Sequence, residues 1–132
     1  DPFEDNLRKT LNFGHTLGHA IESHYLSNPN KTSLLHGEAI AIGMVLAAHI
    51  SKELLNFSDT ECLEIKTTLI IIFKKVEIDE SDYAPIIELL KHDKKNEHAN
   101  INFVLLEAIG KTKINCLVEN NLIIKAFKFY ST

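Results

Sequence analysis

The sequence is short of the features that most readily assign a function. Its two cysteines, Cys62 and Cys116, lie far apart and outside any CxxC pattern, which predicts two packed thiols rather than a bridge and favours the cytoplasm. Basic residues are in deficit, with 14 Lys and Arg against 18 Asp and Glu. A nucleic-acid binder working by bulk charge is therefore disfavoured. The longest apolar run, Ala39 to Ala48, is ten residues broken only by Gly43; it is too short to cross a bilayer and predicts a buried helix. No apolar segment follows a basic start, so no secretory signal is expected. Glycine-rich phosphate loops and the G-x-S-x-G elbow are missing, and Gly110-Lys111-Thr112 lacks the upstream glycine of a P-loop. Any nucleotide cofactor is thus expected to be held mainly elsewhere. The only methionine is Met44 and the chain opens Asp1-Pro2-Phe3, which predicts a processed chain or a piece of a larger one.

What is present suits a folded domain. Hydrophobic residues make up 45% and charged residues 24% of 132 positions, enough for one compact core without disorder. A first helix is expected over Asp5 to Tyr25, with Gly14 and Gly18 inside it. Each glycine costs about 1 kcal/mol against alanine in a helix, so close backbone approach, by a ligand or by another helix, is expected there. Ser27 to Ser33 has turn chemistry. A second helix, Gly37 to Leu54, is apolar on nearly all sides over its first three turns and should be central. Ser58-Asp59-Thr60-Glu61 has capping-box form; the helix it starts should run to about Lys75, with a stripe of Cys62, Ile65, Leu69 and Ile72. A fourth helix is expected over Asp82 to His92, with Pro85 in its first turn. Asn100 to Leu106 and Lys113 to Val118 read as a hairpin, followed by a helix over Leu122 to Phe129 capped by Asn120 or Asn121.

The histidines carry the candidate chemistry. His15 and His19 share a helix face four residues apart, and His36 opens the second helix beside Gly37. Neutral imidazoles ligate zinc and similar metals, and a catalytic metal takes about three protein ligands and an open position. Spacing alone nominates His15, His19 and His36, with Glu22 or Glu38 nearby. The same spacing also suits hydrogen-bonded histidines at a helix interface. His24, His49, His92 and His98 have no partner pattern and read as surface or interface residues. Arg8, four residues before Asn12, could hold a carboxylate or phosphate, or be an ordinary surface arginine.

Two stretches, Arg8-Lys9-Thr10-Leu11-Asn12-Phe13-Gly14-His15-Thr16-Leu17-Gly18-His19-Ala20-Ile21-Glu22 and Leu35-His36-Gly37-Glu38-Ala39-Ile40-Ala41-Ile42-Gly43-Met44, resemble the two signatures of the 3-dehydroquinate synthase family. Asp93-Lys94-Lys95-Asn96, Phe103 to Leu106 and Ala108 to Lys111 follow in the family's order. The resemblance implies a mainly α fold: the helical C-terminal domain of a dehydroquinate synthase-like protein, with a small β-hairpin near residues 100–118. An N-terminal NAD-binding domain would lie outside these 132 residues. It implies conversion of 3-deoxy-D-arabino-heptulosonate 7-phosphate to 3-dehydroquinate and phosphate, in the shikimate pathway, with NAD and a divalent metal (zinc or cobalt).

By resemblance, His15 and His36 match the two histidine metal ligands. His19 matches a substrate-contacting histidine near the phosphate, which overrides the three-ligand nomination made from spacing. Arg8 matches a carboxylate-binding arginine, Asn12 a substrate-binding asparagine, and Lys94, with Lys95 its neighbour, a lysine at the phosphate end. The third metal ligand, a glutamate in the family, would come from upstream; Glu22 and Glu38 receive no metal role. Asn6 replaces a usual glycine, and Asn28 to Ser33 resembles an insertion between the ligands that should not disturb them. The expected partners are a phosphorylated sugar acid, the protein's own NAD-binding domain and a second copy in a homodimer, with neither nucleic acid nor membrane. The competing readings are the equivalent domain of another NAD- and metal-dependent sugar-phosphate cyclase, and a non-catalytic helical interaction module.

Overall fold

A computed structural model describes residues 14–91, 101–108 and 111–132. Within them the chain forms α1 (His15–Ser27), α2 (His36–Leu55), α3 (Asp59–Phe73), α4 (Glu80–Lys91), β1 (Ile101–Ala108), β2 (Lys111–Val118) and α5 (Asn120–Ser131). Helix α1 starts at His15 with Gly14 at its N-cap, so Gly14 precedes the helix rather than lying inside it as expected; residues 5–13 of the expected helix lie outside the described residues.

The apolar second helix is central, as its composition predicted. Burial begins at Ala39 and persists through Ser51, while His36 and Gly37 at its start are exposed. Around it pack α1, α3, α5 and β1, with Leu17, Ile21, Leu46, Ile50 and Phe127 fully buried between them. The helix ends on Asn56 in the left-handed conformation, φ 57°. The Phe57 amide then reaches back to the Ser51 carbonyl at 3.3 Å, a Schellman-type stop.

Helix α3 starts as read: the Glu61 amide donates to Ser58 Oγ at 3.2 Å. It stops at Phe73 rather than Lys75, because Lys74 turns to φ 62°. Its stripe bends away from the expected one. Cys62 and Lys66 are buried, Phe73 is half-buried, and Ile72 is exposed. At about 100° per residue, Ile72 points about 80° away from Cys62, whereas Phe73 returns close to it. Lys66 is tolerated inside because Nζ donates to the Phe129 carbonyl at 2.6 Å and to Thr132 Oγ1 at 3.0 Å, capping the end of α5. Both cysteines are free thiols, as expected.

Two helix starts differ from the sequence reading. Helix α4 begins at Glu80, which puts Pro85 inside the helix rather than in its first turn. The earlier start is held by the Asp82 carboxylate, which accepts the Asp79 amide at 2.9 Å. Helix α5 begins at Asn120 with Glu119 at its cap and no side-chain cap bond, so neither asparagine caps it.

The hairpin forms where expected. β1 and β2 pair antiparallel, with register shifts between Phe103 and Leu105 and between Leu106 and Ala108. There the Leu106 amide donates to Ser51 Oγ at 2.8 Å. This bond ties the hairpin to α2.

The loop read as an insertion is anchored by charge. Lys31 Nζ lies 2.9 Å from Asp79 and 2.8 Å from Asp82, and His24 Nε2 lies 2.8 Å from Asp82. His24 and His49 are both buried, which corrects their reading as surface or interface residues. His24 is compensated by Asp82. His49 stacks on Phe129 at 4.7 Å, and burial lowers its pKa and keeps it neutral. His92 and His98 lie outside the described residues.

Burial alone would raise the Asp82 pKa, but donors from Lys31, His24 and the Asp79 amide outweigh it and hold the carboxylate below its ordinary range. A depressed carboxylate contributes stability above the unfolded value near 3.9 and loses it as pH falls through the folded value. Asp82→Ala is therefore expected to lower stability at pH 7 by about 2 kcal/mol, the scale of lost charge-assisted hydrogen bonds from His24 and the Asp79 amide, while Lys31 keeps Asp79. It should also flatten the loss of stability below about pH 4. Urea unfolding at pH 7 and at acid pH checks both.

Candidate active site

The site is set by a close crossing of α1 and α2. A Cβ at Gly43 would overlap the Gly14 carbonyl oxygen and stand 2.7 Å from the Gly18 nitrogen. A Cβ at Gly14 would meet the Met44 nitrogen at 2.5 Å. Side chains cannot intervene where backbone meets backbone, so Gly14 and Gly43 must be glycine for the helices to cross this closely, whereas a Cβ at Gly18 would first meet the tip of the Ile40 side chain at 2.7 Å. The close approach expected at Gly14 and Gly18 is thus another helix. Gly43 was legible only as a break in the apolar run.

His15 follows Gly14 directly, and His36 starts α2 two turns before Gly43. The crossing sets Gly14 against Met44 and Gly18 against Ile40, and Glu22 against His36, so His15, His19 and His36 gather on one side of the helix pair. Ring centroids are 5.8 Å apart for His15–His19, 6.3 Å for His15–His36 and 5.7 Å for His19–His36. The His19 and His36 side chains are 63% and 57% exposed, so the cluster faces outward. Glu22 Oε1 lies 3.2 Å from His36 Nδ1 and 4.0 Å from His19 Nδ1. Glu38 is engaged otherwise: Oε1 accepts the Leu35 amide at 2.8 Å and fixes the start of α2.

The donor chemistry suits a borderline divalent ion such as zinc or cobalt. Burial, followed by the like charges of His19 and His36, lowers the pKa of His15. The neutral imidazole is thereby favoured, and that is the ligating form. The rings stand wider than ligand spacing: two imidazoles on one zinc have centroids about 5 Å apart. Among the described residues no group of three His, Cys, Asp or Glu side chains reaches metal-holding distance. Arg8, Asn12 and Lys94, with Lys95, lie outside the described residues.

The fold and the sequence both match known proteins. Over 89% of the chain and 32% of its own length, the structure of 2-deoxy-scyllo-inosose synthase complexed with carbaglucose-6-phosphate, NAD+ and Co2+ matches with a TM-score of 0.67 at 30% identity. ValA, a 2-epi-5-epi-valiolone synthase of Streptomyces hygroscopicus with NAD+ and Zn2+ bound, shares the fold at a TM-score of 0.63 and 21% identity, over 91% of this chain and 32% of its own. The fold is therefore that of the matching helical segment in these synthases. The family model described as 3-dehydroquinate synthase C-terminal matches residues 1–96, and the chain belongs to the 3-dehydroquinate synthase family. It is 39% identical over 130 residues to a 3-dehydroquinate synthase of Parabacteroides distasonis, covering 98% of this chain and 36% of that one. It is 41% identical over 113 residues to that of Picrophilus torridus, covering 85% and 31%. The chain thus spans about a third of the length of these curated relatives. Among the described residues no helix is long and apolar enough to cross a membrane.

If the glycine crossing sets the cluster, Gly43→Ala should separate the helices despite alanine's better helix propensity. The expected net loss is about 1–2 kcal/mol, overpacking against backbone exceeding the propensity gain. Gly37→Ala is the control, since its Cβ would meet only the Phe73 ring, at 3.2 Å. Thermal unfolding of the two variants checks the contrast.

Proposed function

We propose that this chain is the helical half of a 3-dehydroquinate synthase, acting on 3-deoxy-D-arabino-heptulosonate 7-phosphate with NAD and a divalent metal. The observation that carries the reading is the convergence of His15, His19 and His36 on one exposed side of the α1–α2 pair. That cluster comes from the two sequence stretches that resemble the family's signatures. The identity to curated relatives over nearly the whole chain supports it, as do the NAD+ and metal named for structures of the same fold.

In this reading His15 and His36 hold the metal through neutral imidazole nitrogens, and His19 meets the substrate near its phosphate. Arg8 holds the substrate carboxylate, Asn12 a substrate oxygen, and Lys94 the phosphate end. When bound, the metal would polarise substrate oxygens as a Lewis acid, and NAD would take up and return a hydride. The outward face of the cluster leaves room for a further ligand and for substrate, both supplied across a contact with an N-terminal NAD-binding domain. The full protein would be a cytoplasmic homodimer, and these 132 residues alone would not turn over.

The test uses the full-length protein. His15→Ala and His36→Ala should each weaken Co2+ binding by at least about tenfold, one lost metal–ligand contact being worth more than 1.4 kcal/mol. His19→Ala should leave Co2+ affinity near wild type while turnover collapses. Equal loss of metal by all three variants would instead favour a three-histidine site. The structural likeness to 2-deoxy-scyllo-inosose synthase keeps a second sugar-phosphate cyclase activity in view. Turnover of glucose 6-phosphate, in place of the heptulosonate phosphate, would establish that alternative.

A further inference from the structure

We infer that Glu22 is the positioning residue for His36, accepting a hydrogen bond from the imidazole Nδ1–H and so turning the Nε2 lone pair outward as the metal-ligating atom. The inference rests on the reading of His36 as a metal ligand. Glu22 comes from α1 and His36 from α2, so the contact crosses the two elements that build the cluster. Its Oε1 lies 3.2 Å from His36 Nδ1. An ionised carboxylate can only accept, so the nitrogen facing it carries the proton. In a neutral imidazole that leaves the lone pair on Nε2 at the far side of the ring.

Burial supports a supporting rather than a ligating role. Glu22 is 29% exposed, while His36 and His19 are 57% and 63% exposed. The carboxylate therefore lies beneath the rings rather than among them. The alternative carboxylate, Glu38, is committed to the Leu35 amide at 2.8 Å and cannot serve His36 without releasing the start of α2. The same Glu22 oxygen stands 4.0 Å from His19 Nδ1. One carboxylate thus faces both the histidine read as a metal ligand and the one read as a substrate contact. Carboxylate–histidine–metal chains fix ring orientation and tautomer, and loss of the carboxylate typically weakens metal binding 10–100-fold.

The experiment is a Co2+ titration of full-length wild type, Glu22→Ala, Glu22→Gln and His36→Ala, following affinity by chelator competition and the visible cobalt spectrum. It is paired with nitrogen-15 NMR of the histidine tautomers in the metal-free protein. Glu22→Ala should weaken Co2+ about 10–100-fold and move His36 away from the Nδ1-protonated tautomer. Glu22→Gln, which keeps an acceptor oxygen, should stay closer to wild type in both. Unchanged affinity and tautomer in Glu22→Ala would overturn the inference. So would an equal loss in Glu22→Gln accompanied by the spectral change of a lost oxygen ligand, since Glu22 would then be a ligand itself. If Glu22→Ala fails to fold, the wild-type tautomer decides, and protonation of His36 at Nε2 refutes it. Full cobalt affinity in His36→Ala would instead defeat the ligand assignment on which the inference rests.

Discussion

The contact of backbone on backbone between α1 and α2 is the constraint on which the rest of the arrangement depends. Gly18 and Gly43, inside the two helices, cost roughly 1 kcal/mol each in propensity, and the core must offset that cost; Gly14 stands at the N-cap of α1. What they provide is a crossing tighter than side-chain ridges would permit. Gly43 lies against the Gly14 carbonyl and the Gly18 amide. Because His15 adjoins Gly14 and His36 opens the other helix, the separation of their rings follows directly from that crossing. A larger residue at Gly43 would act on the histidines without touching them.

A second layer of support is polar and buried. Asp82 gathers Lys31, His24 and the Asp79 amide, joining the loop after α1 to the start of α4. The neighbouring Tyr25 hydroxyl donates to the Glu77 carbonyl at 2.9 Å, and burial followed by the Asp82 charge pushes its pKa up to about 12. Ser51 and Lys66 do comparable work, one holding the hairpin to α2 and the other closing α5. Asp82, Ser51 and Lys66 each have named partners, which is the condition for tolerating them in a core; His49 Nδ1 is the exception, buried without a hydrogen-bond partner among the described residues. These contacts fix the elements around α2 while leaving the histidine side uncovered.

The elements were legible because their signals are local. The apolar run of α2, the Ser58 cap and the alternating hairpin segments depend on neighbours in the chain. Pairings at long range were not legible. His24 gave no sign of burial because its partner, Asp82, is 58 positions away. Lys66 is buried because the end of α5, 63 to 66 positions away, supplies its acceptors. Ile72 was misplaced because spacings of three and four drift around a helix when they are summed over ten residues. For the site, spacing grouped His15, His19 and His36 correctly and noted Glu22 and Glu38, but could not separate their tasks. The contacts do so: Glu38 fixes a helix start, and Glu22 faces His36.

The exposure of the cluster argues for shared construction of the site. A self-sufficient structural metal site closes its ligands in a complete shell. Here two of three imidazoles are more than half exposed, and the ring separations exceed ligand spacing. Yet the scaffold beneath them is rigidly specified, by glycine contacts and by a carboxylate that holds one ring. Firm support under an open, incomplete donor set is what a site assembled from two bodies requires. On the proposed reading, the helical body would fix where its histidines point before a second, NAD-binding body meets it. Only closure then needs to adjust the distances, with the entropic cost of ordering the histidines already met by the fold.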